Sequence, residues 1–180
     1  MTLTSRRLAS GAVLSLRRAE QQDLNRIFEW RNADHVRHMM LNPERIEYEQ
    51  HVKWFQALDR ECNILCLYAL DNIDIGVINI RNIDLVAQES DLGIYVGDSQ
   101  FLKNTANIAA LILAYDYIFV ELGLASVRTS ILNSNQTAIR LNTKLGFIFQ
   151  KELNHNFNEY VLSKPDYLKN KEPLAKFFFR

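Results

Sequence analysis

The chain has 180 residues, of which 48% are hydrophobic, so it is long enough and apolar enough to build one domain with a full core. Its 21 basic and 21 acidic side chains cancel, which leaves no bulk charge to attract nucleic acid or an anionic membrane. We therefore expect a single domain over residues 1–180, with a peripheral leader over 1–10 and a peripheral tail over 164–180. Binding should be local, and we expect neither nucleic acid nor a membrane as a partner.

The two cysteines and the apolar run near the N-terminus bear on where the protein works. Cys62 and Cys66 fall near the start of one predicted strand, where residues at i and i+4 lie too far apart for a disulfide. Reduced thiols are typical of intracellular proteins. The apolar run from Leu8 to Leu16 is short and is broken by Gly11, which makes it a poor signal peptide and no membrane span. We expect a cytoplasmic protein.

The N-terminal third of the sequence predicts one strand followed by three helical segments. Residues 13–17 form the strand by their Val-Leu-Ser-Leu pattern, after a loose basic leader. Asp23 is a good N-cap for the first helix, Asp34 caps the second, and Pro43 lies beyond the end of that second helix. The predicted helices are 24–32, 36–41 and 48–60.

The middle of the sequence predicts a hairpin and then a strand–helix–strand unit. Apolar and other side chains alternate through 89–97, the period-two pattern of a strand with two different faces. Helical spacing then runs from Thr105 until Gly123 supplies a stop. Because a helix of this length between two strands is a crossover connection, the flanking strands are expected to be parallel neighbours. The predicted strands are 64–70, 75–83, 89–97 and 126–132.

The remaining sequence predicts a helix, an antiparallel strand pair and a tail. Asn133-Ser-Asn135 opens the helix, and Gly146 is the residue past its end. Residues 147–153 and 157–162 supply the last two strands. From Pro165 the sequence is mixed, Lys-rich and aromatic, which fits either a subunit interface or completion of the core. A homodimer is therefore left open.

The helix start Asn133-Ser-Asn135, with Ala138, Leu141 and Lys144-Leu-Gly-Phe147, resembles the GCN5-related N-acetyltransferase (GNAT) superfamily, and the order of elements agrees from end to end. The resemblance implies an α/β fold with a mixed, mostly antiparallel sheet of about seven strands and a central parallel pair linked by a crossover helix. It also implies acetyl-CoA as co-substrate and N-acetylation as the reaction. The cofactor would lie where the two parallel strands separate.

The resemblance carries cofactor contacts onto the first central strand, the loop after it and the helix that Asn135 opens. Both glycines usual in the family's pyrophosphate loop are replaced, by Thr105 and Asn107. The tyrosine that many members use to protonate the leaving thiolate falls on Asn142, so Tyr95 and Tyr160 are the substitute acids. The implied cofactor-binding residues are Ile94, Tyr95, Val96, Leu102, Lys103, Asn104, Thr105, Ala106, Asn107, Asn135 and Asn142.

A narrower resemblance covers about fifty N-terminal residues. Phe28-Glu-Trp-Arg-Asn32, Val36-Arg37, Glu49-Gln-His51 and Trp54-Phe55 look like the GNAT branch that acetylates amino-sugar nucleotides in bacterial surface-glycan pathways, including pseudaminic-acid biosynthesis. The resemblance implies transfer to the amino group of a nucleotide-linked amino-deoxysugar. The implied substrate-binding residues are Trp30, Arg31, Asn32, His51 and Trp54.

Direct transfer to an amine needs a base, since an aliphatic amine is mostly protonated at neutral pH. Glu89 and Asp91 point to one face of the central strand, next to the expected thioester, and either would serve as the carboxylate base. Asp91 is slightly favoured because the amino-sugar branch tends to have an acid at its position. The alternative is that both are solvated acids of the strand face.

Two other functions remain open from the sequence. One is acetylation of protein N-termini, as by the ribosomal-protein acetyltransferases of the same fold, and the other is a GNAT-like module that binds a ligand without turnover. His35 and His38 have weak metal spacing with no nearby third ligand, so we expect no metal. Serine-hydrolase, kinase and dehydrogenase motifs do not occur in the sequence.

Overall fold

The computed structural model describes residues 1–179, and Arg180 at the end of the predicted tail lies outside the described residues. Within that range the chain forms eight strands and seven α-helices. The strands are β1 (Thr2–Arg7), β2 (Val13–Arg18), β3 (Ile64–Leu70), β4 (Ile73–Asp84), β5 (Glu89–Val96), β6 (Ser126–Leu132), β7 (Ile148–Asn154) and β8 (Phe157–Ser163). The helices are α1 (Leu24–Asn32), α2 (Asp34–Arg37), α3 (Tyr48–Gln56), α4 (Ala106–Asp116), α5 (Gln136–Leu145), α6 (Lys164–Asn170) and α7 (Glu172–Phe178).

All eight strands belong to one sheet in the order β1-β2-β3-β4-β5-β6-β8-β7. Six of its pairings are antiparallel, and β5 and β6 are parallel. Helix α4, extended by a π-helical turn over Tyr117–Glu121, makes the crossover between these two strands. The structure confirms the predicted α/β fold with its central parallel pair, in a sheet of eight strands.

The parallel pair is joined over a short distance only. Its pairing runs from Glu89↔Ser126 to Asp91↔Arg128, and beyond this point the two strands separate. On its other edge β5 stays paired with β4 as far as Val96, so one side of the strand is held while the other is open. This gap positions the candidate site.

Two hydrophobic cores lie on the two faces of the sheet. The larger one packs the sheet against α4, whose whole central turn is buried, and against aromatic residues of α6 and α7 such as Tyr167 and Phe178. The smaller one packs α1 and α3 onto β3 and β4, through residues that include Ile27, Phe55 and Leu67. Helices α1 and α3 therefore cover one face of the sheet beside the gap.

Several predicted elements differ from the structure. The expected loose leader contains β1, which pairs with β2 through an alternating Thr-Leu-Thr-Ser pattern too polar to stand out in the sequence. The tail forms α6 and α7, and its Tyr167 is fully buried. Two helices also end earlier than predicted, α2 at Arg37 and α3 at Gln56, because the residues after each of them form turns.

Candidate functional site

A cavity of about 480 Å³ opens where β5 and β6 separate. We call the part formed by the strands around the gap and by α5 the gap lobe. We call the part between the sheet and the segments α1, α3 and 39–46 the helix lobe. Side chains of the gap lobe include Ile94, Thr129, Asn135 and Asn142, and those of the helix lobe include Arg31, Asn42, His51, Trp54, Asn79, Arg81 and Tyr95.

In the gap lobe, β5 presents backbone polar groups to an extended ligand. The Leu92 carbonyl accepts a hydrogen bond from the Thr129 hydroxyl at 3.0 Å, which shows that it points toward β6. Because backbone groups alternate along a strand, the N–H and C=O of Ile94 point to the same side. Further along, His35 Nε2 lies 3.2 Å from the carbonyls of both Val96 and Gly97 and closes the end of this edge.

Helix α5 forms the opposite wall of the gap lobe. Asn135 is its N-cap, with its side-chain oxygen accepting from the Ala138 amide at 3.1 Å. Asn142 donates from Nδ2 to the Ala138 carbonyl at 2.8 Å and accepts at Oδ1 from the Tyr115 hydroxyl at 3.3 Å. A carboxamide cannot supply a proton as an acid does, so this position holds a neutral, fixed hydrogen-bonding group.

The two substitute tyrosines fall in different places. Tyr95 lines the cavity, and burial raises the pKa of its phenol well above the ordinary value. Tyr160 packs edge-on against Phe149 and is not part of the cavity wall. Tyr95 is therefore the tyrosine that the fold brings to the site.

The loop before α4 uses its own side chains to build itself. Asn104 accepts from the Ala106 amide at 2.8 Å, and Asn107 accepts from the Tyr68 hydroxyl at 3.0 Å while donating to the Phe101 carbonyl at 2.7 Å. Leu102 and Lys103 are exposed at the surface. The predicted loop residues are not part of the cavity wall, and the cofactor-binding role of 102–107 stays a prediction.

In the helix lobe, His51 is held as a neutral, oriented ring. Its side chain is 2% exposed, and Nε2 lies 3.2 Å from the Leu24 carbonyl. A carbonyl only accepts, so Nε2 carries the hydrogen and Nδ1 keeps its lone pair. Burial lowers the pKa of His51. The hydrogen bond to the Leu24 carbonyl acts in the opposite direction, and the nearby charge of Arg31 lowers the pKa further. Trp54 stacks on the ring with centroids 5.2 Å apart.

Arg31 and Asn79 carry the two buried side-chain polar atoms of the cavity wall that have no hydrogen-bond partner among residues 1–179. Arg31 donates from one terminal nitrogen to the Asn42 carbonyl at 2.7 Å, while its other terminal nitrogen is buried with no hydrogen-bond partner among residues 1–179. Burial lowers the pKa of this guanidinium. Asn79 Oδ1 is likewise buried without a partner in the described part of the chain. A buried donor and a buried acceptor left free in one cavity indicate groups that a ligand satisfies.

The two predicted acids are engaged with an arginine of β6. Arg128 holds Glu89 through both terminal nitrogens, and its Nε lies 3.4 Å from Asp91. Asp91 also accepts from the Asn82 side chain at 2.7 Å. Neither acid is part of the cavity wall. Their assignment as base stays a prediction, and Asp91, with the longer contact to Arg128, is the less tightly held of the two.

Of the predicted substrate residues, Arg31, His51 and Trp54 line the cavity, whereas Trp30 and Asn32 do not. Trp30 covers Gly97 so closely that a Cβ there would lie 2.0 Å from its ring. Asn32 exchanges two hydrogen bonds with the Ile46 backbone, at 2.8 and 2.9 Å. These two residues position α1 and the segment 39–46, and do not reach the cavity.

Asn79, Arg81 and Thr129 are cavity residues that the sequence prediction missed. The signal for Asn79 is a carboxamide within residues 75–80, a run whose other residues are all buried. A polar residue at such a position needs a hydrogen-bond partner, and the described residues supply none for Asn79 Oδ1.

The fold and the cavity define an acyltransferase of the GNAT class. The family model described as an acetyltransferase (GNAT) domain matches residues 14–148, and the chain belongs to this family. It is an acetyl-CoA-dependent N-acetyltransferase.

Solved structures share the fold at low sequence identity. The spermidine N-acetyltransferase of Vibrio cholerae, in complex with CoA and spermine, superposes with a TM-score of 0.76 at 17% identity, covering 86% of this chain and 98% of that one. A domain from Methanocaldococcus jannaschii gives 0.74 at 19% identity, with 84% and 99% covered. An uncharacterized protein from Bacillus halodurans gives 0.76 at 16% identity, with 94% and 93% covered. No curated protein sequence matches the chain significantly.

The residues of the gap lobe fit acetyl-CoA as co-substrate. The free edge of β5 at Ile94 offers one donor and one acceptor to an extended amide-bearing arm, and the wall contributed by Asn135, Ala138 and Asn142 faces it. No helix within residues 1–179 is long and apolar enough to cross a membrane. The same described range contains no group of three or more His, Cys, Asp or Glu side chains that could hold a metal ion.

Proposed function

We propose that the protein transfers the acetyl group of acetyl-CoA directly to the amino group of a nucleotide-linked amino-deoxysugar. The observation that carries this proposal is the charge of the helix lobe. Its charged side chains are Arg31 and Arg81, and no aspartate or glutamate is among the described residues that line the cavity. An acceptor that bears phosphate matches this lobe, because guanidinium groups bind phosphate oxygens with strong, charge-assisted hydrogen bonds.

The same charge distribution argues against the two other kinds of acceptor. The solved relatives from Vibrio cholerae act on spermidine, a flexible polycation, which would enter a lobe with two arginines and no carboxylate to balance its charge. A protein N-terminus would call for an open groove with an acidic floor. A phosphate-bearing substrate also gives the unpartnered nitrogen of Arg31 a partner that residues 1–179 do not supply.

The remaining groups take roles that follow from their positions. Trp54, stacked on His51 and 40% exposed, offers an aromatic face to a nucleotide base at the mouth of the helix lobe. Asp91 is our proposal for the carboxylate that receives the proton of the amine, through water, because it lies two residues from Gly93 on the cavity floor. The loop 102–107 is the proposed pyrophosphate site, with its exposed Lys103 as the cation.

Replacing Arg31 tests this proposal. In Arg31→Gln the KM for a nucleotide-linked amino sugar should rise about ten- to a hundredfold, the loss of a charge-assisted hydrogen bond worth ~1.5–3 kcal/mol. The KM for acetyl-CoA should not change. The matched control is Arg7→Gln, which removes a charge from exposed β1, where Arg7 donates to the Gly11 carbonyl at 2.7 Å. Failure of the wild-type protein to acetylate any amino-sugar nucleotide would reject the proposal.

We also propose that two copies pair through β7. This strand is the outer edge of the sheet beside β8, and all seven of its residues are exposed, including Ile148 and Phe149. An unpaired edge with apolar side chains is a template for another strand. The related Vibrio cholerae enzyme is itself described as a dodecamer.

A further inference from the structure

Asn79 and Gly93 form the floor of the cavity at the point where the two lobes meet. They are directly paired across β4 and β5, and both side-chain positions face α1 and α3. A Cβ placed on Gly93 would meet no atom within 4 Å, so the space above this glycine is open. Asn79 lines the cavity beside Gly93, and its Oδ1 is buried without a hydrogen-bond partner among the described residues.

The ionisable groups around this floor are cationic or neutral. Arg31 faces it from α1, His51 from α3, Arg81 from β4 and Tyr95 from β5. The wall residues of β3, β6 and α5 are not ionisable. Burial lowers the pKa of His51 and raises the pKa of Tyr95, so at neutral pH both are uncharged. Asp91 lies on the same face of β5, two residues from Gly93, but it is held by Arg128 and Asn82 and is not part of the cavity wall. An ammonium ion in this space is repelled by two guanidinium groups and meets no carboxylate in the cavity wall.

We propose that Asn79 is the residue that holds the acceptor amine, accepting at Oδ1 a hydrogen bond from a neutral amino group placed above Gly93. The nitrogen lone pair then faces the gap, where the thioester lies. This inference rests on the proposed function and extends it. The acceptor binds with its amino group neutral, although the substrate as a whole carries a net negative charge. A carboxamide suits this task because it orients the amine without stabilising its protonated form.

The chemical step balances with this arrangement. The amine nitrogen forms a bond to the thioester carbonyl carbon, and the carbon–sulfur bond breaks with its electron pair leaving on sulfur as the CoA thiolate. The proton released from the nitrogen passes to water and then to Asp91 or bulk solvent. Asn79 keeps its hydrogen bond throughout and gives up no proton.

Asn79→Asp is the decisive variant, because it places a carboxylate against the amine. A carboxylate within hydrogen-bonding distance of the amine stabilises the ammonium form. The pKa that governs kcat should therefore move upward by ~1–3 units, and activity at neutral pH should fall. Asn79→Leu should lower kcat at least tenfold and leave calorimetric binding of CoA unchanged. The matched control is Asn25→Asp on α1, where the side-chain oxygen accepts from the Tyr48 hydroxyl at 2.7 Å and an aspartate still can.

The outcomes separate this inference from the proposed function. The wild-type protein is first tested against a panel of amines that includes the nucleotide-linked amino sugar. Acetylation of another amine in place of the sugar nucleotide rejects the proposed function, and the pH profiles are then measured with that amine. An Asn79→Asp profile that matches wild type, with intact CoA binding, rejects the role of Asn79. If Asn79→Asp does not fold, Asn79→Ser replaces it, with a tenfold loss of kcat expected and an unchanged kcat overturning the inference. Absence of acetylation for every amine in the panel overturns both.

Discussion

Asp23 is a buried carboxylate that ties the start of α1 to the sheet. It accepts two hydrogen bonds from Arg17, at 2.7 and 2.8 Å, and one from the Glu20 amide at 2.8 Å. Arg17 also holds Asp74, so one guanidinium of β2 joins two carboxylates. Burial of Asp23 opposes its ionisation, but the hydrogen bonds from Arg17 and Glu20 prevail and lower its pKa. Since α1 carries Arg31, this link supports the helix lobe.

Asp23→Asn should lower the free energy of unfolding by about 1–3 kcal/mol near pH 7, because Arg17 loses a charged partner. The folded-state pKa of Asp23 lies below its unfolded value of roughly 3.9, so its contribution is complete above that value and is lost as pH falls through the folded pKa. Denaturant unfolding from pH 7 to pH 2 should therefore show the two proteins converging in acid.

The control for this prediction is Asp34→Asn. Asp34 also has a lowered pKa, through its hydrogen bond from Arg37, but its side chain is 68% exposed and it should have a much smaller effect on unfolding. Equal effects of the two substitutions, or a constant gap between wild type and Asp23→Asn across the acid range, would contradict the assignment.

At the level of single residues the sequence predicts part of the candidate site. Arg31, His51 and Trp54 stand in a segment with a family resemblance, and the structure brings all three to the cavity. Asn79 has no motif around it. Its importance depends on where β5 leaves β6 and on the absence of a partner, and both are properties of the assembled sheet.

Helix α5 carries Asn135 and Asn142 into the gap lobe and ends at a glycine. Any other residue at this position is expected to destabilise the protein. Gly146 has φ of 103°, and its amide completes the last turn by pairing with the Asn142 and Thr143 carbonyls. A Cβ at this position would lie 2.8 Å from the Asn170 side chain and 3.1 Å from Asp166 Cβ. The end of α5 is thus fitted against α6.

Gly146→Ala should destabilise the protein by more than ~1 kcal/mol, because the left-handed backbone is strained with a Cβ and α6 must also shift. Gly123→Ala is the matched control: its φ is 69°, but an added Cβ meets nothing within 4 Å. Thermal unfolding should therefore show a larger loss at Gly146. A loss at Gly123 as large as that at Gly146 would mean that backbone strain alone decides the cost.

Element prediction succeeds where periodicity is strong and fails at the two ends of the chain. The strand pattern of 89–97 and the helical pattern after it give β5 and α4. Strand β1 is an edge strand with polar side chains, so its burial pattern carries no clear period. Helix α6 does have a start signal, since Ser163 caps it by accepting from the Asp166 amide and Pro165 falls in its first turn.

The two edge strands, β1 and β7, lie at opposite ends of the sheet and differ in the side chains that they expose. Edge strand β1 carries Arg6 and Arg7, and charged side chains of this kind discourage pairing with another sheet. Edge strand β7 exposes 61% of Ile148 and 57% of Phe149. A second copy is therefore expected to pair its β7 with this apolar edge, which gives a two-fold dimer.

Phe149→Lys should abolish this dimer, because it places a charged side chain on the apolar edge, and charged edge strands discourage pairing. Sedimentation velocity at micromolar concentrations should give a dimer for the wild type and a monomer for the variant. Val86→Lys is the matched control: Val86 is 97% exposed on the hairpin between β4 and β5, away from the edge, and its variant should remain a dimer. A monomeric wild type, or a Phe149→Lys variant that still dimerises, would show that β7 is not the interface. Because β7 lies beside β8 and apart from the cavity, we expect the monomeric variant to keep the wild-type KM for acetyl-CoA.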